Sequence, residues 1–412
     1  MNHRSPLFLV STMAFSLAIM SCVGESGRSE DELRERSRSM SREVIIVDTH
    51  VDVPYRLNEH MEDISVRTMG GDFDYPRAKE GGLDAPFMSI YVPSGYEATG
   101  RAKAFADSLI DMVEGFWRTW PDKFSPAFSV ADILANNSFG TISLPMGMEN
   151  GSPVEGRLEN LTYFHNRGIL YITLTHGKNN HLCDSSYDEE RTWNGLSPFG
   201  RTVVVEMNRV GIMVDVSHVS DSTFYQVLGL SKAPVIASHS SCRAFTPGWE
   251  RNMSDEMIQL LASKGGVLQI NFGSSFLADE LRKKWNTGWD EIGRILEKNR
   301  LGWNDEAAKP IIEKYREDHD IGFADITDVA AHIDHVVKLV GADYVGLGSD
   351  FDGVGDSLPT GLKDVSMYPN LIYELLKRGY PERDIEKICG GNLLRVWSEV
   401  ERVAKKSQES PT

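Results

Sequence analysis

The run Val44-Ile45-Ile46-Val47 leads directly into Asp48-Thr49-His50-Val51-Asp52, and no other stretch restricts what this chain can fold into as strongly. Four consecutive β-branched apolar residues read as a strand buried on both faces, the environment of a parallel sheet. Residues i and i+2 of a strand point the same way, so the His50 imidazole and the Asp52 carboxylate can converge on one cation. Imidazole with carboxylate is a ligand set for zinc or a similar divalent ion. A single His-x-Asp after an apolar run has little weight alone, so its meaning depends on the rest of the chain.

The arrangement recurs. From Glu43 onward short apolar runs alternate with amphipathic stretches, and strands are expected over 85–92, 141–148, 169–175, 212–216, 234–237, 266–271 and 344–347. Repeated βα units with β-branched strands point to a parallel sheet. The number of units, and the lack of a dinucleotide glycine fingerprint after the first strand, favour a (β/α)8 TIM-like barrel over an open sheet. Residues 276–323 are charged, with two or three helical patches, and read as an insertion late in the barrel.

Barrel enzymes place their chemistry at the C-terminal ends of strands. Glu149, His176, His218 and His239 each follow an apolar run, and Asp350 and Asp352 follow Val345-Gly346-Leu347-Gly348-Ser349. Each alone has a bland explanation as a polar residue that ends a strand, but the repetition does not. Such a set is rich enough for two metal ions. A carboxylate bridges ions readily because it has two oxygens, and a water shared between them would become acidic enough to act as nucleophile.

The segments Asp48-Thr49-His50-Val51-Asp52, Met148-Glu149-Asn150-Gly151, Leu174-Thr175-His176, Asp215-Val216-Ser217-His218, Ser238-His239-Ser240-Ser241 and Gly348-Ser349-Asp350-Phe351-Asp352-Gly353 occur in that order. Together they resemble the membrane (renal) dipeptidase family of binuclear zinc peptidases, over about residues 43 to 400. The resemblance implies two Zn2+ per chain, with His50 and Asp52 on one ion, His218 and His239 on the other, and Glu149 bridging. It implies Asp350 as the acid/base residue, His176 beside the scissile carbonyl, and Arg251 as a clamp for the substrate carboxylate, with Arg243 as a competitor for that task. Asp352 is expected to support its loop. The substrate would be a dipeptide, L,L and also L,D, and homodimerisation is common in the family. Two alternatives stand beside this reading: a related amidohydrolase for cyclic amides, β-lactams or N-acyl amino acids, and a non-catalytic surface lipoprotein.

The remaining histidines are weaker. His332 and His335 lie three apart among charged neighbours and read as a solvated helix face; His60, His165 and His319 have no partner pattern. His181 can line the pocket, and the loops of Trp193 and Trp249 flank its mouth. The 60 acidic against 43 basic residues, a net charge of −17, argue against nucleic acid as a partner.

At the N-terminus Arg4 precedes the uncharged run from Leu7 to Met20, too short to span a membrane comfortably and suited to a signal peptide. Ser21-Cys22 after it resembles a bacterial lipobox, so Cys22 is expected to carry the lipid of an exported, membrane-anchored protein. Plain secretion and an uncleaved anchor are the alternatives. The organisation expected is a signal peptide (1–21), a flexible tether (22–42), the barrel (43–406) and a polar tail (407–412). Cys183, Cys242 and Cys389 have no CxxC spacing and leave one disulfide open, its pairing undetermined.

Overall fold

A computed structural model describes Met1 and residues 28–302, 305, 307–319 and 321–409. Among the described residues ten strands form in chain order: β1 (Ile46–Val51), β2 (Leu83–Tyr91), β3 (Phe124–Pro126), β4 (Ile142–Leu144), β5 (Met146–Glu149), β6 (Ile169–Thr173), β7 (Met213–Asp215), β8 (Ile236–Ser240), β9 (Val267–Ile270) and β10 (Val345–Leu347). Eight of them close a parallel barrel in the order β1-β10-β9-β8-β7-β6-β5-β2, the TIM-like (β/α)8 architecture expected. β3 and β4 pair with each other in a separate two-stranded sheet.

The stretch 141–148, expected as one strand, is two. Pro145 divides it: proline offers no N–H to a ladder, so β4 pairs outside the barrel and β5 restarts inside it, between β2 and β6. At the N-terminal end of the barrel, Leu393, Val396 and Trp397 of the last helix pack against Val47, Phe87, Met213 and Ile236 near the strand starts. The Phe87 and Trp397 rings are 5.7 Å apart, edge to face. The barrel is therefore a filled core whose open end is the end that holds the polar residues.

Three expectations need correction, and the open question of a disulfide is answered. Residues 30–43, expected within a flexible tether, form a helix (Glu30–Glu43). Ser29 and Glu32 make a capping box at its start, Met40 is buried, and Arg36 pairs with Glu382 at 2.8 Å; the polar composition concealed one buried stripe. The last helix runs to Glu409, into the expected tail, where Gln408 Nε2 donates to Arg209 O at 3.0 Å. Cys183, Cys242 and Cys389 are all buried and free. His332 is fully buried rather than solvated: its Nδ1 accepts from Cys242 N and its Nε2 donates to Leu277 O, both at 3.0 Å. The signal peptide (1–21), Cys22 and residues 410–412 lie outside the described residues. Among the described residues no helix is long and apolar enough to cross a membrane.

Candidate active site

The barrel brings the predicted residues to one place. His50 and Asp52 come from the end of β1, Glu149 from β5, His218 from the loop after β7, His239 from β8, and Asp350 from the turn after β10. The Glu149 carboxylate lies at the centre. Its Oε2 is 3.6 Å from His50 Nε2; its Oε1 is 3.1 Å from His218 Nε2, 3.2 Å from His239 Nε2 and 3.7 Å from His176 Nε2. His50 Nε2 is 3.4 Å from Asp52 Oδ2, and His218 Nε2 is 2.8 Å from His239 Nε2. The two Glu149 oxygens thus face different nitrogen donors.

Ligand atoms of His50, Asp52 and Asp350, of His50, Glu149 and His239, and of Glu149, His176 and His218 form three groups, the atoms within each no more than 4.8 Å apart. His50 Nε2 and Asp52 Oδ1 are buried with no hydrogen-bond partner. Buried polar atoms ordinarily have partners, so unsatisfied donor atoms converging here fit a divalent cation. The tautomers fit as well. Tyr171 Oη donates to Thr49 O at 2.9 Å and so can only accept from His50 Nδ1, 2.8 Å away, which leaves the Nε2 lone pair free. Ser238 Oγ donates to Asp215 Oδ2 at 2.6 Å and accepts from His239 Nδ1 at 2.7 Å, with the same result at His239. Partners behind ligating imidazoles orient metal sites in this way.

Local backbone geometry aims these groups. His218, Asp350 and Asp352 adopt left-handed conformations at φ 67, 65 and 65°, each costing on the order of 1 kcal/mol or more. Gly353 is required by its neighbours: a Cβ there would sit 2.2 Å from both Asp350 Oδ1 and Asp52 Oδ2. Gly147 does the same below the site, where a Cβ would fall 2.0 Å from the Tyr171 ring that supports His50.

Charge within the site follows from burial and neighbours. Burial above all, with the Arg251 guanidinium adding to it, holds His218 and His239 well below the ordinary imidazole value, as neutral donors. Burial opposes ionisation of Glu149, but His176, His50, His218 and His239 outweigh it and hold the carboxyl well below its usual range. Burial, with the carboxylates of Asp52 and Glu149, pushes Asp350 up to about 7 against the charge of His50. Asn271 Nδ2 donates to Asp350 Oδ2 at 2.7 Å and fixes its rotamer.

Other predicted residues differ in place. Arg251 is buried behind His218 and His239: its Nη2 lies 3.0 Å from His218 Nε2 and donates to His239 O at 2.7 Å, and its Nη1 donates to Ser240 Oγ at 2.7 Å. Arg243 is held by both oxygens of Asp221 and stays out of the site. Asp352 receives Arg56 Nε at 3.0 Å and Asp72 N at 2.6 Å, a loop-supporting role. His181 turns to Glu97, with Nδ1 3.3 Å from its Oε1, and is not among the residues that line the cavity. Trp249 packs on Phe276 and Tyr187 at the cavity edge, whereas the Trp193 indole is tied to Asn180 O. Tyr171, Asp215, Ser238 and Asn271 were not singled out in the sequence. Asp215 and Ser238 stand in the segments Asp215-Val216-Ser217-His218 and Ser238-His239-Ser240-Ser241, the visible traces of them.

Fold and site together define a metal-dependent hydrolase on a parallel barrel. The family model described as membrane dipeptidase (peptidase family M19) matches residues 34–411. The chain is 36% identical to Dipeptidase aclJ of Aspergillus oryzae over 342 residues, 81% of this chain and 71% of that protein. It is 31% identical to Dipeptidase 3 of Mus musculus over 393 residues, 92% and 69% of the two chains. Among solved structures, the probable dipeptidase PvdM from Pseudomonas aeruginosa superposes with a TM-score of 0.76 at 26% identity, covering 91% of this chain and all of that one. A metallopeptidase from Rhodobacter sphaeroides liganded with a phosphinate mimic of L-Ala-D-Ala gives 0.69 at 26% identity, over 87% and 99%. The chain belongs to the membrane dipeptidase family and is a metallodipeptidase; neither the amidohydrolase nor the non-catalytic alternative is favoured.

Proposed function

We propose that the protein hydrolyses dipeptides at a pair of zinc ions, His50 and Asp52 holding one, His218 and His239 the other, with Glu149 between them. The observation that supports this most is the division of Glu149, Oε2 toward His50 and Oε1 toward His218 and His239. When bound, the ions act as Lewis acids and lower the pKa of coordinated water. Asp350, held by Asn271, takes a proton from the attacking water and passes it to the leaving amine. His176, 28% exposed at the cavity edge and the most accessible of the four imidazoles around Glu149, stabilises the developing oxyanion. Arg251 binds the substrate carboxylate; occupation of His218 Nε2 by a ligand competes with the Arg251 contact there and leaves one Nη2 N–H available, the other still donating to His239 O. The scissile bond is that of an L,L or an L,D dipeptide. The L,D reading draws on the L-Ala-D-Ala mimic bound by the Rhodobacter relative.

The test is a panel of L-Ala-L-Ala, L-Ala-D-Ala and N-acetyl-alanine with zinc-loaded protein. Hydrolysis of both dipeptides, with the N-acyl compound at least a hundredfold slower, is the expected outcome. Preferential cleavage of the N-acyl compound would replace the reading. We also propose export and lipidation at Cys22, with the barrel outside the cytoplasm. Cys22→Ser should move the protein from the membrane fraction to the soluble fraction, and unchanged membrane association would remove the anchor. The homodimer expected from the family is checked by the sedimentation mass of the full chain.

A further inference from the structure

The insertion is a small unit on the rim of the barrel. Its long helices are Asp279–Lys298 and Lys309–Asp318. Between them Ile292, Leu296, Ala308 and Tyr315 form a cluster separate from the barrel core. Gly288 keeps the packing close, since a Cβ there would lie 3.1 Å from Ile321 Cδ1. The unit meets the loop after β10 through an ion pair between Arg316 and Asp356. Its inner face, with Phe276, Trp285, Trp289 and Arg316, walls the same cavity that opens on Glu149 and Asp350.

Three observations bear on what this wall accepts. The cavity measures about 710 Å³, a size that encloses drug-sized ligands and leaves room beyond the backbone of a two-residue substrate. The Trp285 and Trp289 rings lie 6.3 Å apart, inclined by 33°, and Arg316 Cζ is 5.8 Å from each, so this part of the wall offers two indoles and a guanidinium to a planar group. Trp285, only 6% exposed, has a buried Nε1 with no acceptor among the described residues, and the same holds for Arg316 Nε. Buried donors without partners are destabilising, and an acceptor brought in by a substrate would satisfy them.

We propose that this unit is the side-chain subsite of the enzyme and selects dipeptides with a large planar side chain ending in a hydrogen-bond acceptor. Tyrosine is preferred to phenylalanine, and both to alanine. The proposal rests on the dipeptidase reading. Aromatic side chains stack on the indole and guanidinium planes, and an oxygen at the end of the ring supplies the acceptor that the two donors lack. An acidic side chain fits less well, because Asp356 already neutralises Arg316 and the cavity is also lined by Glu59 and Asp352.

The experiment measures kcat/KM of the metal-loaded full chain for Ala-Ala and for dipeptides that place Phe, Tyr or Glu at either end. In at least one position the aromatic substrates should exceed Ala-Ala by about tenfold or more, the range one well-filled pocket supplies, with Tyr above Phe. Trp289→Ala, at a site 41% exposed, should collapse the aromatic-to-alanine ratio to below about threefold, mainly through KM. Trp285→Phe should keep the aromatic preference and erase the Tyr-over-Phe difference. Melting temperature and metal content verify that each variant is folded. A wild type that favours Ala or Glu, or a Trp289→Ala ratio equal to wild type, overturns the proposal. Cleavage of no dipeptide at all contradicts the dipeptidase reading itself, a failure distinct from cleavage without aromatic preference.

Discussion

Glu149 lies within 3.7 Å of four imidazole nitrogens, and no other carboxylate in the site is so placed. Asp350 is held by a neutral amide at the edge of the ligand cluster, where its carboxyl is within reach of a water between the candidate ligands. Asp350→Asn should therefore retain the metal content of wild type while kcat falls by about 10²- to 10⁴-fold, measured by elemental analysis beside steady-state kinetics. Tyr171→Phe removes the acceptor that fixes the His50 tautomer and should weaken metal affinity by about 10- to 100-fold, read by competition with a chelating dye. Wild-type affinity in that variant would show that the tautomer is set elsewhere. The ligand candidates were legible in the sequence because each stands where an apolar run stops. The supporting roles of Tyr171, Ser238 and Asn271 were not legible: they lie within or beside strands, and their partners on β1, β7 and the β10 turn are 121, 23 and 79 positions away, brought close only by barrel register.

At the scale of elements, periodicity located most strands, and the errors have local physical causes. Pro145 splits a run that composition alone reads as continuous. His332 sits on the helix Ile326–Val340, where flanking Asp328, Asp334 and Lys338 suggested solvent; yet its own face turns inward against Phe245, 4.2 Å from ring to ring. That burial has a measurable consequence. Burial is the largest influence on His332 and lowers its pKa from 6.5 to about 4, with a smaller push from His335 and an opposing one from the Leu277 carbonyl. The folded-state value lies below the unfolded one, so the unfolded chain takes up the proton first. The stabilising contribution is fully present above pH 6.5 and is lost as the pH falls toward 4, by about 3 kcal/mol in total. Urea unfolding at pH 7 and pH 4.5 should show a smaller acid loss for His332→Gln than for wild type, and equal losses would assign the acid sensitivity to other groups. The helix Glu30–Glu43 gives a second test. Met40→Ala should cost about 2–5 kcal/mol if the helix is docked as described, whereas a neutral effect would indicate a free segment.

For the whole molecule, barrel closure is what turns residues spread from His50 to Asp350 into one site. The repeated βα pattern made that architecture readable, because each unit signals its own period and a parallel order admits few closures. The tertiary position of the insertion was not readable: its amphipathic helices specify a small core of their own, and only the fold shows that Trp285 and Trp289 line the cavity that opens on Glu149 and Asp350. The central claim, that these scattered ligands hold a pair of cations, is tested most directly by elemental analysis of purified, dipeptide-cleaving protein beside Glu149→Ala. The account predicts two equivalents of zinc per wild-type chain, and loss of both metal and turnover in the variant. Active protein without a divalent ion, indifferent to chelators, would contradict it.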